Sequence, residues 1–222
     1  KNYIEQYVHD LTHELKSPLA AIRGAAEILR EGPPPPVIAR FTDNILVQNA
    51  RMQALVEKLL AQARLENRVE IAHTPVPLTA LFERLREERS VMLNARQIAL
   101  DCDDARLSVD GDAGLLHQAL GNLLDNAIDF TPPGGEIALS AEAHQGTVTL
   151  RVVDSGSGIP DFALARIFER FYSLPRDNGL KSSGLGLAFV QEVARLHQGD
   201  IHLRNRAEGG TEAILTLHRP FT

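Results

Sequence analysis

Apolar residues recur at alternating intervals of four and three between residues 4 and 29, which is typical of a helix with one packing seam. The seam is formed by Ile4, Val8, Leu11, Leu15, Pro18, Ile22, Ala25 and Leu29. Gly32 and the four prolines at 33–36 follow it. Because proline lacks a backbone N–H donor and crowds the preceding turn, this tract ends the helix. The sequence therefore predicts a long helix over 4–29 that is followed by a turn.

A second helical pattern runs from about Val37 to Leu65. Its apolar side chains form two adjacent stripes, one of Ile38, Phe41, Ile45, Met52, Leu55 and Leu59 and one of Leu46, Val56, Leu60 and Ala63. An apolar face of this width is more than one partner helix covers. We therefore expect residues 1–68 to form a helical hairpin that pairs with a second copy of the chain in a dimeric four-helix bundle.

The pattern of apolar residues changes after residue 68, from purely helical to mixed helix and strand. Residues 69–77 contain Thr74, Pro75 and Pro77 and are interpreted as a linker. In residues 78–222, helices are predicted over 78–95, 113–130 and 184–197, and strands near 98–102, 106–109, 136–143, 147–153, 201–205 and 211–217. Strands in runs with helices between them favour a second domain that is an α+β two-layer sandwich.

The charge of the chain limits what this second domain binds. Residues 1–68 carry nine basic and eight acidic side chains, whereas residues 69–222 carry 14 and 21, and the net charge of the chain is −6. This balance argues against direct nucleic-acid binding. A polyanion would have to be held by backbone amides and a metal ion. The single cysteine, Cys102, excludes internal disulfides and a zinc site built from cysteines.

Four short segments of the second domain have side chains or backbone suited to binding an anion. Asn122 and Asn126 are helical neighbours whose amide oxygens suit Mg²⁺, although both could simply be surface residues. Asp154-Ser155-Gly156-Ser157-Gly158 follows a strand and resembles either a tight turn or a ligand loop. Ser182-Ser183-Gly184-Leu185-Gly186 precedes a helix, where amides attract anions. Gly209-Gly210-Thr211 is most simply a hairpin turn.

In this order, the four segments resemble the N, G1, G2 and G3 boxes of the GHKL ATPase superfamily, and residues 167–172 are similar to the F box of sensor histidine kinases. The resemblance implies that the domain binds ATP with Mg²⁺. Asn122 and Asn126 would bind the metal and phosphates, Asp154 would contact the adenine amino group, and residues 173–183 would form a mobile lid. The residues implied to bind the nucleotide are Asn122, Asn126, Asp154, Gly156, Gly158, Arg170, Gly184, Leu185, Gly186 and Thr211.

The first helix carries the segment His13-Glu14-Leu15-Lys16-Ser17-Pro18, which resembles the H box of sensor histidine kinases. If Leu11 and Leu15 occupy the d and a positions of the seam, His13 falls at f, the position that faces water. The resemblance implies that His13 accepts the γ-phosphoryl group of ATP. Glu14 would orient the imidazole, and Ser17 would orient a water that dephosphorylates the partner.

The same resemblance implies the setting in which the chain acts. The phosphoryl group would pass to an aspartate in the receiver domain of a response regulator. The full-length protein would be anchored in the inner membrane by an N-terminal sensor, with this part on the cytoplasmic side. The chain starts at Lys1 and holds no apolar run of the roughly 18–20 residues that a membrane span needs, so we expect it to be a soluble piece of a longer protein.

Two other functions are compatible with parts of the sequence. His9 and His13 have the i,i+4 spacing of zinc ligands, but Asp10 stands where a zinc hydrolase has its general-base glutamate. A GHKL ATPase or serine kinase that forms no phosphohistidine is the other alternative, and the helix that carries His13 argues against it.

Two positions differ from the family pattern. Asp129 stands where many family members have a phosphate-binding Lys or Arg, so another cation is required or nucleotide affinity is modest. Arg170, Arg176 and Lys181 are the candidates for that cation. Ser17 replaces the more usual Thr or Asn, which bears on the efficiency of dephosphorylation.

Overall fold

The computed structural model describes residues 2–66, 73–103, 106–174 and 184–218 of the chain; within the first range, it describes the side chains of residues 12, 15–49 and 52. The chain divides into two compact units, Lys1–Asn67 and Arg68–Thr222. No helix in the described ranges combines the length and the hydropathy that crossing a membrane requires.

The first unit is a helical hairpin of α1 (Asn2–Arg30) and α2 (Pro35–Glu66). The prediction of two long helices is confirmed, with bounds that differ by one or two residues. Gly32 lies in the turn with φ +69°, a left-handed conformation that glycine adopts without strain. Pro18 and Ala25 of the seam are buried.

The second unit is built from strands and helices that alternate irregularly. Its elements are β1 (Thr74–Pro77), α3 (Leu78–Ala95), β2 (Ala99–Cys102), β3 (Ser108–Gly111), α4 (Ala113–Phe130), β4 (Glu136–His144), β5 (Thr147–Asp154), α5 (Asp161–Leu164), α6 (Gly186–Leu196), β6 (Asp200–Asn205) and β7 (Thr211–His218).

A five-stranded sheet in the order β2-β4-β5-β7-β6 forms one layer. β2 pairs parallel with β4, and the other neighbours are antiparallel. Residues of β5 alternate between buried and half-buried, so that Val148, Leu150 and Val152 face the core. Against this face pack the helices, of which α4 contributes fully buried leucines such as Leu120 and Leu124. The predicted α+β two-layer sandwich is confirmed.

The interpretation of residues 74–77 as linker was wrong, because they form β1 and pair antiparallel with β3. Val76 lies opposite Val109, and both side chains are buried. Pro75 and Pro77 are compatible with this strand because β3 is its one partner in the two-stranded sheet. Two further elements differ from the prediction. β3 starts two residues later than expected, and α5 was not predicted.

Both ends of α4 are fixed by specific hydrogen bonds. The Asp112 carboxylate accepts hydrogen bonds from the amides of Gly114 (2.9 Å) and Leu115 (3.0 Å), which satisfies donors that a helix start leaves unpaired. At the other end, the Arg96 guanidinium donates to the carbonyls of Ile128 and Thr131. These contacts set the position of α4, which carries Asn122 and Asn126.

Candidate functional site

A cavity of about 860 Å³, its open mouth included, lies between α4, the adjoining ends of β5 and β7, and the start of α6. Its lining residues are Leu123, Asn126, Ala127, Phe130, Val152, Asp154, Gly158, Ile159, Ile167, Tyr172, Ser173, Leu174, Gly184, Gly186, Leu187, Leu203, Thr211 and Ala213. Among these described residues, Asp154 is the one charged side chain, and the walls are mainly apolar.

Asp154, the last residue of β5, lines the cavity and is 6% exposed. Its Oδ1 accepts hydrogen bonds from the amides of Gly156 (2.8 Å) and Thr211 (3.1 Å). Burial raises the pKa of Asp154 above its ordinary value of 3.8, and these two hydrogen bonds oppose the rise. A carboxylate has two oxygens, so a group held in this way retains the capacity to accept a hydrogen bond from a ligand amine.

The start of α6 forms another wall of the cavity. Gly184 has φ +63°, and a Cβ there would overlap the backbone of Phe171, whose amide donates to the Gly184 carbonyl at 2.9 Å. The N-cap position is Leu185, and no described side chain caps the helix. The described side chains thus leave the first amides of α6 unpaired, and amides at a helix start attract anions.

Asn122 and Asn126 occupy different positions relative to the cavity. Asn126 lines it, whereas Asn122 is buried and its Nδ2 donates to the Gly186 carbonyl at 3.5 Å. Asn122 thus links α4 to the start of α6. The described residues contain no group of three His, Cys, Asp or Glu side chains that could hold a metal ion by themselves. Amide oxygens with few protein ligands suit Mg²⁺ that arrives bound to phosphates.

The structure brings six of the predicted binding residues together around the cavity: Asn126, Asp154, Gly158, Gly184, Gly186 and Thr211. The other four, Asn122, Gly156, Arg170 and Leu185, do not line it. Leu185 is 1% exposed, and Gly156 is packed against the carbonyl of Phe130. The pKa of the Glu192 carboxyl on α6 is lowered mainly by its hydrogen bond with Arg195. The charge of Arg170 makes a smaller contribution in the same direction.

Several lining residues were missed by sequence reasoning, among them Phe130, Ile159, Leu187 and Leu203. Their apolar side chains are indistinguishable from core residues in the sequence. Tyr172 also lines the cavity, and the Arg166 guanidinium lies 4.4 Å from its ring centroid. Tyr172 belongs to the segment that resembled an F box, which was the available signal.

The predicted residues of the hairpin lie on α1. Ser17 is exposed, and His13 lies one turn before it in the same helix. The side chains of His13 and Glu14, and therefore the predicted outward position of the imidazole, lie outside the described residues. The side chain of His9 also lies outside them, as do most of the predicted lid (175–183) and its Arg176 and Lys181.

Two protein families match the chain. Residues 111–220 match the histidine kinase-, DNA gyrase B-, and HSP90-like ATPase family, and residues 3–68 match the His Kinase A (phospho-acceptor) domain. The first match contains the cavity, and the second contains two histidines, His9 and His13.

Individual proteins also resemble the chain. Sensor protein CreC of Escherichia coli (strain K12) is 69% identical over 222 residues, which are 100% of this chain and 47% of CreC. The solved mycobacterial sensor histidine kinase MprB is 31% identical, with a TM-score of 0.58 over 67% of this chain and 99% of that one. Full-length ShkA, solved in complex with AMPPNP, is 26% identical, with a TM-score of 0.72 over 98% of this chain and 47% of ShkA. The chain thus spans about half the length of the curated relatives it matches.

Proposed function

This chain belongs to the sensor histidine kinases, and on that premise we propose that it transfers the γ-phosphoryl group of ATP to His13 and then to an aspartate of a response regulator. The observation that carries the proposal is the cavity that joins Asp154 to the start of α6, where no described side chain caps the helix. At one end of this cavity, a carboxylate can accept a hydrogen bond from an amine. At the other end, backbone amides can donate to an anion. ATP has an amine on its adenine at one end and a triphosphate anion at the other.

In the proposed complex, the adenine amino group donates a hydrogen bond to Asp154, and the apolar walls cover the faces of the base. The triphosphate lies at the start of α6, where the helix amides attract negative charge. Asn126 supplies an amide oxygen for Mg²⁺, and Asn122 holds the Gly186 backbone near it. The metal would neutralise phosphate charge during the transfer.

The transfer step uses the neutral imidazole of His13, whose ordinary pKa of about 6.5 leaves much of it unprotonated near pH 7. Nε2 attacks the γ-phosphorus, the bond from this phosphorus to the bridging oxygen breaks, and ADP leaves with the bonding electrons. Glu14 accepts a hydrogen bond from Nδ1–H and stabilises the positive charge that develops on the ring. Ser17 would orient the water that later hydrolyses the phosphorylated regulator.

We propose that two hairpins associate in a homodimeric four-helix bundle. Leu46 and Val47 of α2 are 61% and 62% exposed within the single hairpin, and a second copy would cover them. The regulator is a receiver domain of the CreB-like kind that the similarity to CreC implies. The full-length protein is anchored in the inner membrane with this part on the cytoplasmic side, and it does not bind nucleic acid directly.

The test is incubation with γ-labelled ATP and Mg²⁺, followed by mapping of the modified residue. Label on His13 that is labile to acid and stable to base is the expected result. His13→Gln should abolish the label and leave ATP binding unchanged, whereas the matched variant His9→Gln should retain both. Label that persists in His13→Gln would refute the assignment of the acceptor.

Three further observations would favour the alternatives. ATP turnover without label on the protein would favour a GHKL ATPase, and acid-stable label would favour a serine kinase. Stoichiometric zinc in the purified protein would favour a hydrolase built on His9 and His13.

A further inference from the structure

The loop that follows Asp154 is held by a side chain from a different strand. Asn205, the last residue of β6, uses both ends of its amide on the backbone of Ile159. Its Oδ1 accepts the Ile159 N–H at 2.7 Å, and its Nδ2 donates to the Ile159 carbonyl at 2.7 Å. The side chain therefore acts as a short strand partner for a loop residue.

Residues 157–159 have little else to fix them. In the part of the chain that the structure describes, no other hydrogen bond ties these three residues to a different element. Gly158 has φ +76°, and a Cβ there would lie 3.0 Å from Asn205 Oδ1, so the loop passes close to the amide. Without Asn205, these residues would lose the two hydrogen bonds that join them to β6.

Asn205 is also connected to Asp154, the hydrogen-bond acceptor that lines the cavity. Asn205 pairs with Thr211 across β6 and β7, and the Thr211 amide donates to Asp154. Gly158, Ile159, Asp154 and Thr211 all line the cavity. Asn205 thus links Ile159 to the strand pair that also holds the Asp154 carboxylate, without lining the cavity itself.

From these contacts we infer that Asn205 is a positioning residue for recognition of the nucleotide base, an inference that rests on the proposed function. It holds the loop wall where an adenine ring fits between Ile159 and Asp154. Its removal should weaken base recognition while the phosphate end of the cavity, formed by the start of α6, stays unchanged. The affinity for ATP should therefore decrease, while the affinity for nucleotides whose base Asp154 does not recognise should stay unchanged.

The experiment measures dissociation constants for Mg-ATP and Mg-GTP with the whole chain. GTP carries a carbonyl where ATP carries the amine, so at that position Asp154 meets an acceptor in place of a donor. Asn205→Ala should raise the ATP constant about tenfold, the effect of two modest hydrogen bonds, and leave the GTP constant within about twofold. In autophosphorylation, KM for ATP should rise while kcat at saturating ATP is retained.

Asn205→Asp supplies a second variant of nearly identical shape. It keeps an acceptor for the Ile159 N–H but replaces the donor to the Ile159 carbonyl by a second acceptor, so ATP affinity should again fall with GTP spared. This variant carries the test if Asn205→Ala does not fold. His202→Ala, on the same strand and exposed, is the matched control and should bind both nucleotides like the wild type.

The outcomes distinguish the inference from its premise. An equal loss of ATP and GTP affinity in both Asn205 variants, or no loss in either, would overturn the positioning role while the proposed function stands. Wild-type protein that binds no ATP would overturn both. A selective loss of ATP affinity in His202→Ala would show that the effect belongs to β6 in general and would also overturn the inference.

Discussion

The two helices beside the cavity begin in opposite ways. At the start of α4, the Asp112 carboxylate accepts hydrogen bonds from two amides, and the Asp112 N–H donates to Nε2 of His197 at 3.0 Å. At the start of α6, Leu185 occupies the N-cap position, and no described side chain takes the free amides. The first amides of α4 are thus paired with a side chain of the protein itself, whereas the start of α6 faces the cavity. We call the start of α4 the closed start and that of α6 the open start.

Every helix leaves its first amides unpaired, and the two solutions have different consequences. The closed start of α4 contributes to folding stability whether or not a ligand is present. The open start of α6 leaves donors that a bound anion satisfies, so its contribution comes with binding. We therefore expect changes at α4 to alter stability and changes at α6 to alter nucleotide affinity.

Gly184→Ala should have the largest effect. The new methyl group would overlap the backbone of Phe171, and alanine is strained at φ +63°. We expect a loss of about 2–3 kcal/mol in the free energy of unfolding and a loss of nucleotide binding. Chemical denaturation and calorimetric titration with Mg-ATP measure the two. Wild-type affinity in this variant would contradict the importance of the α6 start.

Leu187→Glu tests whether the open end receives an anion. Leu187 lies in the first turn of α6 and lines the cavity, so a carboxylate there would compete with phosphates for the same amides. ATP affinity should fall at least about tenfold, while the helix dipole stabilises the unliganded protein by about 0.3–1 kcal/mol. Leu187→Gln is the neutral control. If both variants bind ATP equally, charge at this helix end is irrelevant to binding.

Asp112→Ala should show the converse pattern. Loss of the cap at α4 costs about 1 kcal/mol of folding free energy. The melting temperature should fall, and ATP affinity measured well below that temperature should match the wild type. A loss of affinity larger than the loss of stability would show that the closed end also participates in binding.

The smallest effect concerns the pH dependence of stability at the closed end. Burial lowers the pKa of His197 below its ordinary value of 6.5, against the opposing effects of the Val193 carbonyl, Asp112 and Asp110. Nδ1 lies 2.8 Å from the Val193 carbonyl, and Nε2 accepts from Asp112, which suits the neutral ring. The unfolded chain binds this proton at higher pH than the folded one, so stability is complete above about pH 6.5 and falls as the pH drops toward the folded-state pKa.

Denaturation midpoints at several pH values between 5 and 8 measure this slope. His197→Gln should reduce the slope, since Gln cannot be protonated, although seven other histidines remain. An unchanged slope in that variant would assign the pH dependence to another group.

The sequence predicts best where a local signal agrees with tertiary packing. The predicted bounds of α4 match the structure because Asp112 caps its start and Thr131-Pro132 ends it. The seam of α1 is equally clear, since one interval pattern covers the whole helix. In contrast, β1 was missed because two of its four residues are prolines, which read as linker until a pairing partner is known.

The site divides in the same way. Asp154 and Gly184 stand in motifs whose spacing is visible in the sequence. Asn205 and Phe130 do not stand in such motifs. The role of Asn205 depends on the Ile159 backbone, which is 46 residues away, and that of Phe130 depends on which side of α4 faces the cavity. Contacts of this kind follow from the fold and have no local pattern.

The walls of the cavity come from segments that are distant in the chain, from Leu123 on α4 to Ala213 on β7. No short fragment contains all of them, so a ligand binds only when the second unit is folded as a whole. By thermodynamic linkage, saturating nucleotide stabilises that folded state by RT ln(1 + [L]/Kd). Protease resistance conferred by ATP should therefore extend to cleavage sites in the sheet far from the ligand.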